Sequence, residues 1–376
     1  MKNNPCINIP VSRPAVGKEE LLKVKEVFAT GWLGMGSVVF KFEEELKKIL
    51  NTKYVIAVNT GTSALHISLD SLGLKPQDEV IVPSLTFVAS LQAIVQCRAR
   101  PVFCDVYEDT LNMDVEDASR KVTKKTRVIM PVHYSGLPCM MHEIIAIAKN
   151  KGITIVEDAA HAFGSYYDGK KIGSIGDITC FSFDPIKNIT CGEGGAVSTN
   201  NKVIADKIIN KRVLGINKDT WHRYKNRRTW QYEVNMSGFR YHMSNINAAI
   251  GLEQLKKMDK FIERKRKIVR QYDEAFKNIG GLEPVRRDYE TTAPFNYIIK
   301  VKNGRDRLME FLKTFGIETG IHYIPNHLQP FFAKYKVKLP ATEKVFKEML
   351  TLPLYYDMSE TDVLFVIEKV KTFFKK

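Results

Sequence analysis

The sequence predicts an α/β protein: a mostly parallel β-sheet covered by helices on both faces, followed by a smaller α+β domain. Between residues 54 and 199, short β-branched runs alternate with longer amphipathic segments. These runs are apolar throughout rather than at every second position, which is typical of parallel strands buried on both faces. After residue 200 the alternation stops. We therefore expect a large domain over residues 1–250 and a small one over residues 251–376.

The elements follow from the local patterns in chain order. Residues 1–17 contain Pro5, Pro10 and Pro14 and predict an irregular arm. The predicted strands are 54–58, 79–82, 100–103, 127–131, 154–157, 178–183 and 196–199 in the large domain, and 296–301 in the small one. The predicted helices are 18–30, 38–50, 63–72, 89–96, 141–149, 202–212, 244–257, 258–279, 305–314, 342–350 and 360–372.

Composition limits the possible functions. The chain has 376 residues and a net charge of +15, which favours an anionic ligand without identifying it. Binding to nucleic acid, or a non-catalytic regulatory role, is thus an alternative from a different class, although the basic residues 256–270 also fit a solvated helix face. No apolar run approaches the length of a membrane span, and the N-terminus lacks a signal-peptide core. We expect a cytoplasmic protein that binds neither membrane nor nucleic acid.

The cysteines and histidines do not predict a metal site. The six cysteines contain no C-x-x-C pair and several lie in apolar runs, so we expect reduced core residues. The histidines are scattered without the spacing of metal ligands. Residues 164–171 (GSYYDGKK) approach a P-loop, but Lys171 replaces the required Ser or Thr, and Asp168-Gly169 predicts a hairpin turn instead.

Candidate functional residues lie where the predicted strands end, because ligands of parallel sheets collect at the carboxyl ends of the strands. The small residues 59–63 after the first strand expose backbone N–H groups at a helix start, which suits a phosphate or an ordinary N-cap. Phe87 follows the second strand and could stack on a flat cofactor or belong to the core. Asp158 ends the fifth strand, where a buried carboxylate needs a partner such as a pyridinium N–H or a basic side chain.

One lysine occupies an unusual position. Lys187 lies in a short loop between two apolar strands and precedes Gly192, Gly194 and Gly195. A desolvated lysine has a lowered pKa and can act as a nucleophile toward an aldehyde such as pyridoxal phosphate (PLP), although a structural role fits the local pattern equally well.

Several motifs together resemble the nucleotide-sugar aminotransferases of the DegT type, in the fold type I superfamily of aspartate aminotransferase. The motifs are NTGTSALH at 59–66, DEVIVPSLTFVAS at 78–90, PVFCDV at 101–106, EDAAHAFGS at 157–165, SFDPIKNITCGEGGAV at 182–197, GFRYHMSNINAAIGLEQL at 238–255 and GIHYIPNHLQPFF at 320–332. The resemblance extends over about residues 10–370 and implies a fold type I PLP transferase with a seven-stranded sheet.

The resemblance also implies roles for individual residues. Lys187 would bind PLP covalently and move the proton during catalysis, and Asp158 would pair with the pyridine nitrogen. The remaining cofactor-binding residues would be Gly61, Thr62, Ser63 and Ser182 at the phosphate, Phe87 on the ring, His161 near the ring hydroxyl, and Arg240 and His242 donated by the second subunit of a homodimer with shared active sites. The substrate-binding residues would be Asp184, His322, Tyr323 and His327. No metal is expected.

The reaction implied is transfer of an amino group from L-glutamate to a nucleotide-linked keto sugar, for glycan or lipopolysaccharide (O-antigen) biosynthesis. The pattern KNIT-x-GEGG with DAAHA is similar to that of enzymes aminating C-4 of UDP- or dTDP-linked 4-keto-6-deoxy sugars. The alternative is C-3 amination of a dTDP-3-keto-6-deoxyhexose. Relatives often carry His or Tyr at the position of Asp184, so this residue bears on the identity of the sugar.

Overall fold

The structure is a computed structural model that describes residues 8–216 and 232–375. Its centre is a seven-stranded sheet with the spatial order β1-β9-β8-β5-β4-β2-β3. The strands are β1 Tyr54–Val58, β2 Glu79–Pro83, β3 Arg100–Cys104, β4 Thr126–Ile129, β5 Thr154–Asp158, β8 Ile178–Ser182 and β9 Gly195–Thr199. All seven predicted strands are confirmed.

The sheet is parallel except at one edge. β3, β2, β4, β5 and β8 pair in parallel, whereas β9 runs antiparallel to both β8 and β1. A parallel return from β8 would need a crossover helix. Instead the chain turns back through residues 183–194, so this connection, which contains Lys187, stays at the carboxyl end of β8.

Helices cover both faces of the sheet, as continuously apolar strands require. They are α1 Lys18–Thr30, α2 Ser37–Leu50, α3 Gly61–Ser71, α4 Val88–Gln96, α5 Val115–Arg120, α6 Met141–Lys149 and α7 Lys202–Lys211. On one face, Ile56 and Val82 pack with Leu65 and Leu91 of α3 and α4. On the other, Phe181 of β8 packs with side chains of α2. The predicted α/β architecture is confirmed.

The C-terminal part has its own apolar core. In this core, an antiparallel sheet of β10 Leu282–Pro284, β11 Tyr297–Val301 and β12 Met349–Leu352 packs against α9 Arg305–Lys313 and α11 Glu360–Phe374. The helix α10 Pro340–Glu348 packs through Val345 against Ile298 of β11 in a separate apolar cluster. The N-terminal arm joins this core, where Ile9 pairs with Ile317.

Two predicted boundaries were wrong. The helices expected at 244–257 and 258–279 form one helix, α8 Asn245–Phe276, because no Gly or Pro lies between residues 252 and 279 to end it. Its apolar face passes from Met258, beside the large sheet, to Tyr272 in the C-terminal core. The helix expected at 342–350 ends at Glu348, and the apolar residues that follow form β12, paired with β11. The domain boundary proposed at residue 250 falls within α8.

Smaller expectations can also be compared with the structure. The turn at Asp168-Gly169 is confirmed: it joins β6 Tyr166–Tyr167 to β7 Lys170–Lys171, and both turn residues have positive φ. Cys104, Cys139, Cys180 and Cys191 are buried and unpaired. Within residues 8–216 and 232–375, no helix is long and apolar enough to cross a membrane, and no cluster of His, Cys, Asp and Glu could hold a metal ion.

Candidate active site

The carboxyl ends of the large-sheet strands surround a cavity of about 250 Å³. Ten residues predicted for the site line it: Gly61, Thr62, Phe87, Asp158, His161, Ser182, Asp184, Lys187, His322 and Tyr323. Thr60, Leu65, Thr86, Ala89, Val132, Ala160, Ile186 and Glu193 complete the lining. Segments far apart in sequence therefore converge where the rule for parallel sheets places a ligand.

One wall of the cavity is the N-terminus of α3. Thr60 is the N-cap, and its Oγ1 accepts the backbone N–H of Ser63 at 3.0 Å. The first N–H groups of a helix have no intrahelical partner and carry partial positive charge, so those of Gly61 and Thr62 suit an anion. The Ser182 hydroxyl-bearing side chain lines the cavity beside them.

The N-terminus of α3 packs closely against Gly195, the first residue of β9. A Cβ at Gly195 would lie 2.4 Å from the carbonyl oxygen of Thr60 and 2.8 Å from the backbone nitrogen of Gly61. Both contacts are with backbone, which cannot rotate away. Glycine at 195 therefore permits the close approach that places the α3 N-terminus in the cavity wall.

We predict that Gly195→Ala displaces this helix start. The variant should lose about 1–3 kcal/mol of stability, the usual cost of overpacking, and should bind a phosphate-bearing cofactor more weakly. Chemical denaturation and titration of the unloaded protein with PLP measure the two effects. Gly280→Ala is the control, since a Cβ there meets open space. Equal PLP affinity in both variants would contradict the prediction.

A buried carboxylate lies on the opposite side. Asp158 ends β5 and is 4% exposed. Its Oδ2 accepts the hydroxyl of Ser90 at 2.6 Å, and its Oδ1 accepts the backbone N–H of Ala160 at 3.1 Å. Ser90 in turn lies 2.9 Å from Thr86 Oγ1. The carboxylate is thus held by neutral donors and, in the described residues, makes no ion pair with a basic side chain.

The lysine of the β8–β9 connection reaches the same cavity. The Lys187 Nζ lies 4.4 Å from the ring centroid of Phe295. Burial lowers the pKa of Lys187 to about 8, although Asp184 and Asp158 partly oppose this effect by favouring the charged form. A considerable fraction of this amine is therefore neutral near physiological pH, as a nucleophilic lysine requires.

Aromatic and imidazole rings form the rest of the site. His161 stacks on Phe295 with centroids 4.1 Å apart, and its Nε2 lies 3.1 Å from the hydroxyl of Tyr323. The ring of Tyr323 also contacts Phe87, which is 52% exposed. Burial and the nearby Lys187 lower the pKa of His161 well below its usual value and that of His322 to about 4, so both rings are neutral at pH 7.

Four predicted residues do not line the cavity. The Ser63 hydroxyl contacts Asn59 and Thr60 within the cap of α3. His327 is buried, with its Nδ1 2.7 Å from the Ser84 hydroxyl. Arg240 is exposed.

His242 is the fourth predicted residue that does not line the cavity, and it lies beside the end of β1. Its backbone pairs with Val58, and its buried Nδ1 has no hydrogen-bond partner among the described residues. Arg240 and His242 therefore do not reach the cavity of their own chain in this structure.

Two residues were missed in the sequence. Glu193 lines the cavity, and burial together with Asp184 raises its pKa. Its place in the glycine-rich stretch 192–195 was a usable signal. Phe295 supports both His161 and Lys187 but precedes β11 in an irregular segment, where no periodicity marks it.

Comparison with known proteins agrees with this geometry. Residues 14–371 match the DegT/DnrJ/EryC1/StrS aminotransferase family. The chain belongs to this family. It is 40% identical over 378 residues to the spore coat polysaccharide biosynthesis protein SpsC of Bacillus subtilis, covering 98% of this chain and 97% of SpsC.

Solved structures of similar proteins have the same fold. The PMP-form of Spr1654, a putative sugar aminotransferase from Streptococcus pneumoniae, superposes with a TM-score of 0.92 at 30% identity, covering 98% of this chain and 99% of Spr1654. PseC from Helicobacter pylori, an aminotransferase involved in pseudoaminic acid biosynthesis, gives a TM-score of 0.92 at 26% identity, covering 98% and 100%. Our protein is thus a PLP-dependent sugar aminotransferase of fold type I, which confirms the predicted family, enzyme class and cofactor.

The residues present fit this cofactor. A helix N-terminus suits its phosphate, a buried carboxylate without a basic partner suits its ring nitrogen, and a partly neutral lysine suits its aldehyde. These three groups lie on the walls of one cavity.

Proposed function

We propose that the enzyme transfers the amino group of L-glutamate to C-4 of a UDP- or dTDP-linked 4-keto-6-deoxy sugar. The observation that carries this proposal is the placement of Lys187, with its lowered pKa, in one cavity with Asp158 and the N-terminus of α3. The motif pattern around Lys187 favours C-4, and the name of SpsC supports a polysaccharide as the destination of the product.

The positions of the cofactor-binding residues support the roles that we propose for them. Backbone N–H groups of Gly61 and Thr62, with the Ser182 hydroxyl, would bind the phosphate. Ser63 would act indirectly, because its hydrogen bonds to Thr60 stabilise the N-cap of α3. Asp158 would keep the ring nitrogen protonated, Phe87 would pack on the ring, and His161 would lie toward its hydroxyl group.

The cofactor, when bound, supplies the electron sink that stabilises negative charge on the reacting carbon. Lys187 would supply the base. Its amine would move the proton between the substrate carbon and the C-4′ carbon of the cofactor. The rings of His161 and His322 are neutral at pH 7, so the lowered pKa of Lys187 comes from burial and not from a positive charge on either imidazole.

We propose that the substrate is contacted by other residues of the cavity lining. Asp184, His322 and Tyr323 line it, and Glu193 lies near Asp184. Carboxylates accept hydrogen bonds from hydroxyl groups and repel other carboxylates. We therefore propose that Asp184 and Glu193 bind sugar hydroxyls and disfavour a uronic acid. His327, which bonds Ser84 away from the cavity, would support the site by packing rather than by contact.

We propose a homodimer in which the partner completes each site. Lys187 is the one basic Lys or Arg side chain among the described residues lining the cavity. A cofactor phosphate and a nucleotide diphosphate require more positive charge than this. Arg240 is exposed, and α1 presents Leu21 and Phe28 at 69% and 58% exposure, so these surfaces are suitable for contact with a second subunit. We propose a cytoplasmic location for this assembly.

The decisive experiment is an assay with glutamate and a panel of 4-keto and 3-keto sugars linked to UDP or dTDP, with NMR of the aminated product. We expect an amine at C-4 and poor turnover of uronic acid analogues. An amine at C-3 would establish the alternative position. Absence of transamination with every member of the panel would overturn the proposed substrate class.

The shared site has its own test. Mixing inactive Lys187→Ala and Arg240→Ala homodimers, with subunit exchange, should restore activity if Arg240 acts on the partner's cofactor. Sedimentation establishes the dimer in the same samples. A monomeric active enzyme, or an Arg240→Ala variant with full activity, would refute the role proposed for Arg240.

A further inference from the structure

A second buried lysine lies directly behind Lys187. Lys265 on α8 is 5% exposed, and its Nζ donates a hydrogen bond to Asn188 Oδ1 at 2.5 Å. No carboxylate of the described residues lies within ion-pair distance of the Lys265 Nζ. Burial lowers the pKa of Lys265 to about 7. Burying a basic group without an acidic partner is unfavourable, so packing alone does not account for a lysine at this place.

Asn188 connects Lys265 to two other segments of the site. Its Nδ2 donates to the carbonyl oxygens of Phe163 at 3.1 Å and Ala293 at 3.2 Å. The amide is 6% exposed, and both of its ends are occupied. Since Asn188 follows Lys187 in the chain, these three hydrogen bonds fix the backbone from which the Lys187 side chain extends. Ala293 lies two residues before Phe295, whose ring contacts the Lys187 amine.

Lys187 separates two spaces. On one side is the active-site cavity. On the other is a void of about 20 Å³ whose lining includes Lys187, Asn188, Lys265 and Gln254. Such a void holds about one water molecule, which could accept a further N–H of Lys265. The Lys265 Nζ therefore contacts the side of the 183–194 connection that faces away from the cofactor site.

We propose that Lys265 is a positioning residue for amino transfer, which holds Asn188 and thereby fixes the Lys187 amine at the cofactor. The proposal rests on the proposed attachment of the cofactor to Lys187. Displacing a reacting group by about 1 Å can lower a rate roughly 100-fold. The hydrogen bonds that fix the backbone at Asn188 therefore matter to catalysis at Lys187. An apolar side chain of similar length, such as methionine, would fill the space but could not donate a hydrogen bond to Asn188.

The test compares Lys265→Met, Lys265→Arg and Lys267→Met. We expect Lys265→Met to lower kcat by roughly 10–100-fold with little change in KM for the sugar nucleotide. In unloaded protein given PLP, fixation to Lys187, followed by borohydride reduction and peptide mass spectrometry, should slow by a similar factor. Lys265→Arg keeps a donor and should recover most of both rates. Lys267, on the same helix with 62% side-chain exposure, is the control and should behave as wild type.

Asn188→Ala provides a second route if Lys265→Met does not fold. It breaks the same connection and should also slow fixation at Lys187. Normal fixation in a folded Lys265→Met or Asn188→Ala variant would overturn the role of Lys265 alone. A wild-type protein that is not labelled at Lys187 would instead overturn the proposed attachment residue, so the two failures are distinguishable.

Discussion

Lys187→Ala is expected to lower transamination by at least about 10²–10⁴-fold, the contribution of a positioned acid–base group. The loss should lie in kcat, because the α3 N-terminus, Ser182 and Asp158 remain to bind the cofactor. Among the described residues, no other lysine lines the cavity, so no second amine could replace that of Lys187. Steady-state rates with the identified sugar nucleotide measure the effect.

The same lysine predicts a pH dependence. Burial lowers the pKa of Lys187 to about 8, so the neutral, nucleophilic amine increases as the pH rises through 8 and is mostly formed above it. An ordinary lysine, with a pKa of about 10.4, would be less than about 1% neutral at pH 8. Capture of PLP by unloaded enzyme should therefore accelerate from pH 7 to about pH 9 and then level off.

The control for both measurements is Lys170→Ala, which removes an exposed lysine on the β6–β7 hairpin. It should retain wild-type turnover and labelling. Borohydride labelling that persists in Lys187→Ala at another lysine would refute the assignment. A capture rate that keeps rising with pH as for a free lysine would refute the lowered pKa.

Much of the site could be predicted because chain order and fold are coupled in a parallel sheet. Once the runs at 54–58 and 154–157 are recognised as strands of one sheet that run in the same direction, the residues after them must lie at its carboxyl edge. Thr62 and Asp158 therefore fall in one cavity although they are 96 positions apart in the sequence. The antiparallel direction of β9 was not predicted; its connection, residues 183–194, contains no helix that could cross the sheet.

The residues that were missed depend on tertiary packing. Phe295 becomes part of the site because the segment before β11 folds over the large sheet, and no local pattern encodes that contact. His327 shares a motif with His322 and Tyr323, yet a 3₁₀ turn over Asn326–Leu328 directs it to Ser84. Helix α8 was divided wrongly because one amphipathic stripe serves two cores in succession.

Asp158→Asn is expected to lower kcat by about 10²–10³-fold, the usual cost of removing one electrostatic group that stabilises a transition state. Asparagine keeps the size of the side chain but cannot favour a protonated ring nitrogen by its charge. Cofactor attachment at Lys187 should persist, since that lysine and the phosphate-binding helix start are unchanged. A visible-absorption titration and mass spectrometry after reduction separate attachment from turnover.

The stability of the unloaded Asp158→Asn protein distinguishes a catalytic from a structural carboxylate. Asp158 is buried with donors from Ser90 and Ala160 but without a basic partner, so its charge is costly in the absence of the cofactor. The unloaded variant should therefore melt at or above the temperature of the unloaded wild type, the trade-off expected of a residue retained for activity. Asp168→Asn makes the same change on the exposed hairpin turn and should alter neither kcat nor melting. A large loss of stability in Asp158→Asn with normal kcat would show that the carboxylate serves the fold instead.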